Sequence, residues 1–209
     1  MRTLKIPVIM LAAVVMALAC NAQQNAYASI FQKQPATVGN SALRFYGGLS
    51  HQHQNYFNKA FSLQGIEGGI ILNDKLFVGV YGSAFVSNHE ITIENNPMYI
   101  LMNQAGLAGG FTCNSTRLLH AGILLNIGCF SLAGNDKPMP VFKSGARAIS
   151  LSGLVISPQA FAEINVTGWM RFRTGLAYNF YSYGDHSRVH ESDLEKASIN
   201  FGFLFGKFY

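Results

Sequence analysis

The last thirteen residues of the chain, "ASINFGFLFGKFY" (residues 197–209), decide the fold class. Every second position of this stretch carries a large apolar side chain: Ile199, Phe201, Phe203 and Phe205. The positions between them are mostly small or polar. A period of two predicts a β-strand whose two faces differ in chemistry. One face suits hydrocarbon and the other suits a narrow polar interior, so the stretch fits a membrane barrel or a soluble β-sandwich.

The same period of two recurs through the chain after residue 40, without sustained helical periodicity. It predicts seven further strands, near residues 41–50, 61–72, 76–86, 99–112, 118–132, 148–164 and 169–181. The stretch 76–86 is apolar on both faces, which leaves its phase open. In the stretch 148–164 the apolar positions change phase, and we expect a β-bulge at Ser152 and Gly153 to restore the alternation.

The predicted connections alternate between short and long. Short turns fall at residues 73–75, 114–116 and 165–168, and long loops at residues 51–59, 87–97, 133–147 and 184–196. Three short turns and four long loops, with both chain ends on the short-turn side, are typical of an eight-stranded outer-membrane barrel. Strand length favours the same fold, because a tilted membrane strand needs ~9–11 residues and a strand in a soluble protein commonly has ~5–6. We therefore predict an all-β, eight-stranded, antiparallel up-and-down transmembrane β-barrel over residues 41–209.

The N-terminus has the pattern of an export signal. Arg2 and Lys5 precede an almost wholly apolar run, and small residues follow it. We expect cleavage after Ala22, so that residues 1–22 are a signal peptide and residues 23–40 a periplasmic N-terminal segment. The sequence "ALAC" leaves lipidation of Cys20 open. Beyond the signal, no apolar run approaches the ~20 residues of a membrane-spanning helix.

The charge of the chain argues against a nucleic-acid partner. The formal net charge of +5 falls to +3 when Arg2 and Lys5 are removed (5 − 2). The remaining Lys and Arg residues are scattered rather than clustered, whereas nucleic-acid binding needs a basic patch.

The stretch "PQAFAEINVTGWMRFRTGLAYNFYSYG" (residues 158–184) carries a family resemblance. Its Pro158, the pair Glu163-x-Asn165, the turn Asn165-x-Thr167-x-Trp169 and the later Tyr178 resemble the penultimate hairpin of the small outer-membrane β-barrel family common in Bacteroidota. The resemblance implies the barrel fold and an outer-membrane location, and it implies no single activity.

The closing strand also resembles that family. Its aromatic residues look like the C-terminal signal that the barrel-assembly machinery reads: Phe201, Phe203, Phe205 and Tyr209. Lys207 departs from the pattern, because barrel C-termini more often carry an apolar or aromatic residue there.

If the apolar faces meet lipid, the opposite faces line the lumen. The polar residues predicted there are Arg44, Glu67, Gln104, His120, Asn126, Glu163, Arg171, Arg173 and Asn200. Eight strands enclose an interior just wide enough for side chains to fill, so we predict a plugged lumen rather than an open pore. Buried charges need partners. We expect Glu163 to pair with Arg171 or Arg173, and Glu67 with Arg44.

Metal binding and catalysis have only weak candidates. His51 and His53 fall in the first predicted loop and His186 and His190 in the fourth, and barrel closure would bring these loops together around a zinc ion. No fixed metal-binding spacing is present, so we predict no metal and no cofactor. Ser187, His190 and Glu191 lie within one loop and offer no rigid nucleophile and base, so we predict no enzyme activity.

The cysteines test the strand assignment. Cys113 lies beside a predicted turn and Cys129 roughly twelve residues along the next strand, at ~3.3 Å per residue. This separation exceeds the ~7 Å limit for a disulfide, so we predict two free thiols.

The sequence thus favours a monomeric, integral outer-membrane barrel without catalysis, with a structural or surface-interaction role. Its expected partners are outer-membrane lipid, the barrel-assembly machinery during biogenesis, and an extracellular partner that contacts the long loops. The alternative is a soluble periplasmic or secreted β-barrel or sandwich that binds an apolar ligand. A lipid-modifying outer-membrane enzyme is a weaker alternative.

Overall fold

The computed structural model describes residues 26–31, 36–37, 43–56, 59–85, 89–93, 96–135, 149–184, 194 and 196–208. The strands within these ranges are β1 (Ala26–Tyr27), β2 (Ala36–Thr37), β3 (Leu43–Tyr56), β4 (Lys59–Leu72), β5 (Leu76–Phe85), β6 (His89–Ile93), β7 (Asn96–Cys113), β8 (Leu119–Asn135), β9 (Ile149–Asn165), β10 (Met170–Tyr183) and β11 (Lys196–Gly206). No helix in the described ranges is long and apolar enough to cross a membrane.

Eight long strands in the described residues close into a barrel. Each of β3, β4, β5, β7, β8, β9, β10 and β11 pairs antiparallel with its neighbours, and β11 returns to pair with β3. Strand β6 pairs with the first residues of β7, while β5 pairs with β7 further along. The prediction of an eight-stranded antiparallel up-and-down barrel is therefore confirmed.

The outer wall carries an apolar belt made by the outward positions of every barrel strand. Its exposed members include Phe45, Leu49, Ile66, Val78, Val80, Leu107, Ile123, Leu125, Ile127, Leu154, Ile156, Leu176, Ile199, Phe201 and Phe203. On β8 the belt runs from Leu119 to Cys129. That distance is ~33 Å along the strand and ~25 Å along the barrel axis at a tilt of ~40°, which matches the apolar band of outer-membrane barrels.

Beyond this belt, on the side of the long loops, the outward face of the barrel wall becomes polar and the interior becomes apolar. The outward residues there are polar and exposed: His53, Asn55, Gln64, Asn103 and Ser152. A buried apolar cluster lies at this height, here named the loop-side core: Tyr56, Phe61, Leu63, Phe85, Met98, Ile100, Leu101, Met102, Phe130, Leu132, Ala133, Leu151, Val155, Tyr181 and Leu194. This end of the barrel is therefore organised like a soluble β-barrel, with polar groups outside and apolar groups inside.

A second apolar cluster closes the opposite end of the lumen, next to the short turns. This turn-side core consists of Tyr46, Ile71, Phe77, Ala108, Leu124, Phe161, Leu204 and Phe208. The rings of Tyr46 and Phe77 meet edge to face, as do those of Phe77 and Phe161. Polar side chains occupy the lumen between the two cores.

The reversal of the wall explains why the predicted bulge at Ser152 and Gly153 is wrong. The pairing of β9 with β8 continues without interruption through both residues. Leu151 and Val155 face inward because the lumen is apolar at this height, whereas Leu154 faces outward in the belt. The strand keeps its alternation, and the chemistry of its surroundings changes instead.

Two predicted loops contain strands. Residues 51–56 continue β3 and residues 59–60 begin β4, so the predicted loop 51–59 is mostly strand. The predicted loop 87–97 contains β6, which pairs with the start of β7. Most of the predicted loops 133–147 and 184–196 lies outside the described residues.

The sequence left open which face of the stretch 76–86 points into the barrel. In β5, Phe77 and Phe85 face inward and Val78 faces outward.

The prediction for the cysteines is partly wrong. Cys113 is disulfide-bonded, whereas Cys129 is a free and exposed thiol. The two do not pair with each other, as expected from their positions on β7 and β8. The partner of Cys113 lies outside the described residues. The prediction considered only cysteines within the barrel and therefore missed this bond.

The N-terminal residues contact the short turns. The amide of Ala28 donates to the carbonyl of Thr116 (2.8 Å), and the amide of Ile30 donates to the carbonyl of Asn165 (3.0 Å). The amide of Phe31 donates to Val166 (3.3 Å). This segment thus crosses the turns that follow β7 and β9.

Candidate functional site

The centre of the polar lumen is the carboxylate of Glu163, which is 0% exposed. Its Oε1 accepts a hydrogen bond from Arg173 Nε (2.7 Å), and its Oε2 lies 2.8 Å from His120 Nε2 and 3.4 Å from Arg171 Nη1. The strand register produces this cluster, because Glu163 lies directly opposite His120 on β8 and opposite Arg173 on β10. Directly opposed residues on one face of a sheet are the closest cross-strand neighbours.

Arg173 links this cluster to the other side of the barrel. Its Nη1 donates to both carboxylate oxygens of Glu67 on β4, at 3.1 and 3.4 Å. Its guanidinium also lies over the ring of Phe161 at 4.6 Å, a cation–π contact. One arginine therefore joins two carboxylates, and the two glutamates balance the charges of Arg171 and Arg173.

Arg171 and His120 fix the turn that follows β7. Arg171 Nη2 donates to the carbonyl of Ser115 (3.2 Å), and its guanidinium lies 4.0 Å from the ring centre of Phe208. His120 Nδ1 donates to the carbonyl of Arg117 (3.1 Å), so both ring nitrogens of His120 face oxygen acceptors.

Asn165 binds the same turn from β9. Its side-chain amide donates to the carbonyls of Ser115 (3.0 Å) and Arg117 (2.6 Å). The buried charges thus hold the turn against the end of the lumen, which makes this end of the barrel a closed and rigid structure.

The predicted pair of Glu67 with Arg44 is wrong. Arg44 Nη1 lies 2.7 Å from Asp74 Oδ1 and donates to the carbonyl of Phe208 (2.9 Å). The register explains the choice, because Arg44 lies opposite Ile71 and Glu67 opposite Gly48. Four residues of strand, ~13 Å, separate these levels, whereas Asp74 is in the adjoining turn. The predicted pairs of Glu163 with Arg171 and Arg173 are present.

A layer of uncharged polar side chains lies above the charged cluster, on the loop side. Asn179 donates to Gln54 and to Ser198 Oγ (3.4 Å), and it accepts from Ser157 Oγ (2.5 Å). Gln54 in turn donates to the carbonyl of Leu194 (3.1 Å). This layer joins β3, β9, β10 and β11 directly below the loop-side core.

A second polar contact crosses the loop-side core itself. The hydroxyls of Tyr56 and Tyr181 lie 2.7 Å apart, and Gln104 Nε2 donates to Tyr181 (2.8 Å). Most members of these two groups are absent from the predicted site: Gln54, Tyr56, Ser157, Asn179, Tyr181 and Ser198. Gln54 and Tyr56 fall in a predicted loop and could not be assigned to a strand face. The others occupy inward positions of predicted strands, and that alternation could have identified them as lumen residues.

A cavity of about 60 Å³ lies between the charged cluster and the loop-side core. Polar residues on its wall include Glu67, Tyr81, Gln104, Asn126, Arg173 and Asn200. Asn200 also donates to Gln159 Oε1 (3.2 Å). Five of the nine predicted lumen residues form the charged cluster: Glu67, His120, Glu163, Arg171 and Arg173. Gln104, Asn126 and Asn200 line the cavity together with Glu67 and Arg173, and Arg44 lies apart beside the turn.

Two of the four histidines proposed for a metal lie in a strand and not in the predicted loop. His51 and His53 are in β3, and the ring of His51 stacks on Phe201 with 4.8 Å between ring centres. His186 and His190 lie outside the described residues, as do Ser187 and Glu191. Within the described ranges, no three His, Cys, Asp or Glu residues come together as metal ligands.

The aromatic residues of the closing strand face outward. Phe201, Phe203 and Phe205 are exposed in the belt, and Trp169 stacks on Phe205 with 6.0 Å between ring centres. Tyr209 lies outside the described residues. The role of these residues as an assembly signal stays a prediction.

No family model and no curated protein matches the sequence. Solved structures match its fold at low sequence identity. Neisserial surface protein A is 11% identical, with a TM-score of 0.55 over 80% of this chain and 99% of its own. OprG from Pseudomonas aeruginosa is 12% identical, with a TM-score of 0.48 over 78% of this chain and 94% of its own. Ail from Yersinia pestis, in complex with the heparin analogue sucrose octasulfate, is 10% identical, with a TM-score of 0.48 over 78% and 97%. The first of these matches shows that the chain has the fold of a small outer-membrane barrel.

Proposed function

We propose that the protein is a monomeric, non-enzymatic integral barrel of the outer membrane that anchors surface loops for contact with an extracellular partner. The observation that carries the proposal is the continuous apolar belt around a lumen filled by side chains. Phe45 is 70% exposed and Leu107 is 68% exposed. A soluble protein rarely leaves so large a contiguous apolar surface in water. This argues against a soluble barrel with an apolar ligand, whose interior would have to be free.

The lumen is closed to ions in this proposal. The loop-side core and the turn-side core block the two ends, and the buried ion pairs occupy much of the space between them. An ion that crosses a membrane needs a continuous polar path, because moving a bare charge into apolar surroundings is very costly. We therefore expect no steady conductance.

The strands that continue beyond the belt support a display role. On β8, residues 130–135 extend past the belt by ~20 Å along the strand, or ~15 Å along the barrel axis. The loop-side core makes this extension rigid. Such a wall would present the loop-side end of the barrel clear of the lipid surface, where a partner can reach it.

The proposal includes the processing and assembly of the chain. Residues 1–22 act as a cleaved signal peptide, residues 23–40 as a periplasmic segment, and residues 41–209 as the barrel. In this proposal the disulfide of Cys113 belongs to the uncleaved chain, because Cys20 and Cys129 are the only other cysteines and Cys129 is a free thiol. The contacts of residues 28–31 with the short turns support the periplasmic position of that segment. The barrel-assembly machinery reads the aromatic closing strand. The hairpin at residues 158–184 is the basis for proposing membership of the Bacteroidota family of small barrels.

Envelope fractionation tests the location. The protein should stay in outer membranes after a carbonate wash and should change its mobility on SDS gels when the sample is boiled. Release into the soluble fraction without a heat shift would contradict the membrane role. Purified barrel in planar bilayers should give no steady current, and a stable open channel would contradict the plugged lumen.

An epitope tag tests the display of the loops. A tag placed within residues 139–142 should bind antibody on intact cells, because this loop is proposed to face outward. The matched control carries the same tag at residues 114–116, in a turn that should become accessible only after the outer membrane is permeabilised. Labelling of the control on intact cells would reverse the proposed orientation.

A further inference from the structure

The cavity between the charged cluster and the loop-side core, here named the central chamber, coincides with a group of unpaired polar atoms. Four buried atoms on its lining residues have no hydrogen-bond partner among the described residues: Tyr81 Oη, Asn126 Oδ1, Asn200 Oδ1 and Arg173 Nη2. Buried polar atoms in folded proteins are nearly always paired. Four exceptions around one cavity therefore indicate a polar occupant.

The chemistry of these atoms restricts the occupant. The two amide oxygens need hydrogen-bond donors, whereas Arg173 Nη2 needs an acceptor, and the hydroxyl of Tyr81 serves either role. A cation would satisfy the amide oxygens but would be repelled by the guanidinium of Arg173. An anion would satisfy Arg173 but would meet the carboxylate of Glu67, which also lines the chamber. Only a neutral molecule with both donors and acceptors suits the whole set.

The size of the chamber restricts the occupant further. Its volume is about 60 Å³, and one buried water needs ~10–15 Å³ by this measure. The chamber therefore has room for about four to six water molecules or for one very small polar molecule. Four separate donors and acceptors on different strands favour several small molecules over one.

We propose that the central chamber is a built binding site for a cluster of about four to six water molecules that hydrates the ion pair of Glu67 and Arg173 within the membrane. Apolar groups bound it on two sides, because Leu63 belongs to the loop-side core and Leu124 to the turn-side core. Water held between these cores exchanges slowly with the solvent. This site is independent of the proposed surface role, since it depends only on the interior of the barrel.

Water ¹⁷O relaxation dispersion on the purified barrel in detergent micelles counts water molecules with long residence times. The test variant is Ser83→Leu, because Ser83 lines the chamber from β5 and its hydroxyl makes no hydrogen bond within the described residues that the substitution would remove. The matched control is Val80→Leu, which adds one methylene to an outward position of the same strand. Ser83→Val, a smaller insertion, serves if Ser83→Leu loses the heat shift of a folded barrel.

We expect about four to six long-lived waters in the unchanged protein and in Val80→Leu, and a loss of at least two in Ser83→Leu, or of at least one in Ser83→Val. An absence of long-lived waters in the unchanged protein, or equal counts in all variants, would overturn the proposal. Crystals soaked in rubidium bromide provide an independent check by anomalous scattering. A rubidium or bromide peak inside the chamber would show an ion site and would also overturn it.

Discussion

The substitution Glu163→Gln is the sharpest test of the buried charge cluster. It preserves the shape of the side chain and removes the charge shared by Arg171, Arg173 and His120. Breaking a buried ion pair by removing one partner costs about 3–5 kcal/mol, because the remaining charge stays buried without compensation. Arg173 keeps its contact with Glu67 and Arg171 keeps the carbonyl of Ser115. We therefore expect the lower end of that range, about 3 kcal/mol.

Urea unfolding in lipid vesicles measures this loss of free energy. The single tryptophan of the chain, Trp169, is exposed on the outer wall and reports the transfer between lipid and water. The matched control is Glu67→Gln, whose carboxylate is partly accessible and has Arg173 as its ion-pair partner. It should cost less than Glu163→Gln, because Glu67 contacts one arginine whereas Glu163 contacts two arginines and His120. The reasoning fails if the free energy of unfolding of Glu163→Gln lies within ~0.5 kcal/mol of that of the unchanged protein. It also fails if Glu67→Gln lowers this free energy more than Glu163→Gln does.

Three further substitutions probe the belt, the loop-side core and the turn. Leu107→Arg places a charge in the middle of the belt and should destabilise the barrel in vesicles by about 2–4 kcal/mol. Asn103→Arg, four residues away on the same face of β7, should cost less than about 1 kcal/mol, and equal costs would contradict the assigned membrane boundary. Phe130→Ala removes a ring from the loop-side core and should cost about 3–5 kcal/mol by urea unfolding, and an unchanged midpoint would mean that this core is loosely packed. Asp74→Asn removes the ion-pair partner of Arg44 and should lower stability by about 1–3 kcal/mol at low salt, while high salt should reduce the difference.

The strands and their outward faces were predictable because alternation is a local property of the sequence. The outward direction of Leu107 and Ile127, for example, follows from the small or polar residues on either side of each in the sequence. The inward faces were harder, because the lumen is polar in the belt and apolar beyond it. At residues 149–156 this change of surroundings looks in the sequence like a change of phase. Residues 51–56 looked like a loop because polar side chains occupy both of their faces.

The ion pairs were predictable only where the register is simple. Glu163 and Arg173 lie on adjacent strands joined by a short turn, so their proximity follows from the hairpin. Arg44 was misassigned because its partner, Asp74, lies in a turn, and turn side chains have no strand face that the pattern can reveal. The contact of Asn179 with Gln54 joins residues that are far apart in the chain, so it required barrel closure to be known.

The reversal of wall chemistry beyond the belt has a consequence for the choice of bilayer. The change from Leu49 to His53 on β3, and from Leu107 to Asn103 on β7, is abrupt. A thicker bilayer would have to cover these polar residues or thin locally around the barrel, and each ångström of such hydrophobic mismatch costs a fraction of a kcal/mol. The protein should therefore insert and remain folded most readily in vesicles of short-chain lipids. The depth of the barrel in its membrane is thus set by three consecutive outward positions on each of these two strands.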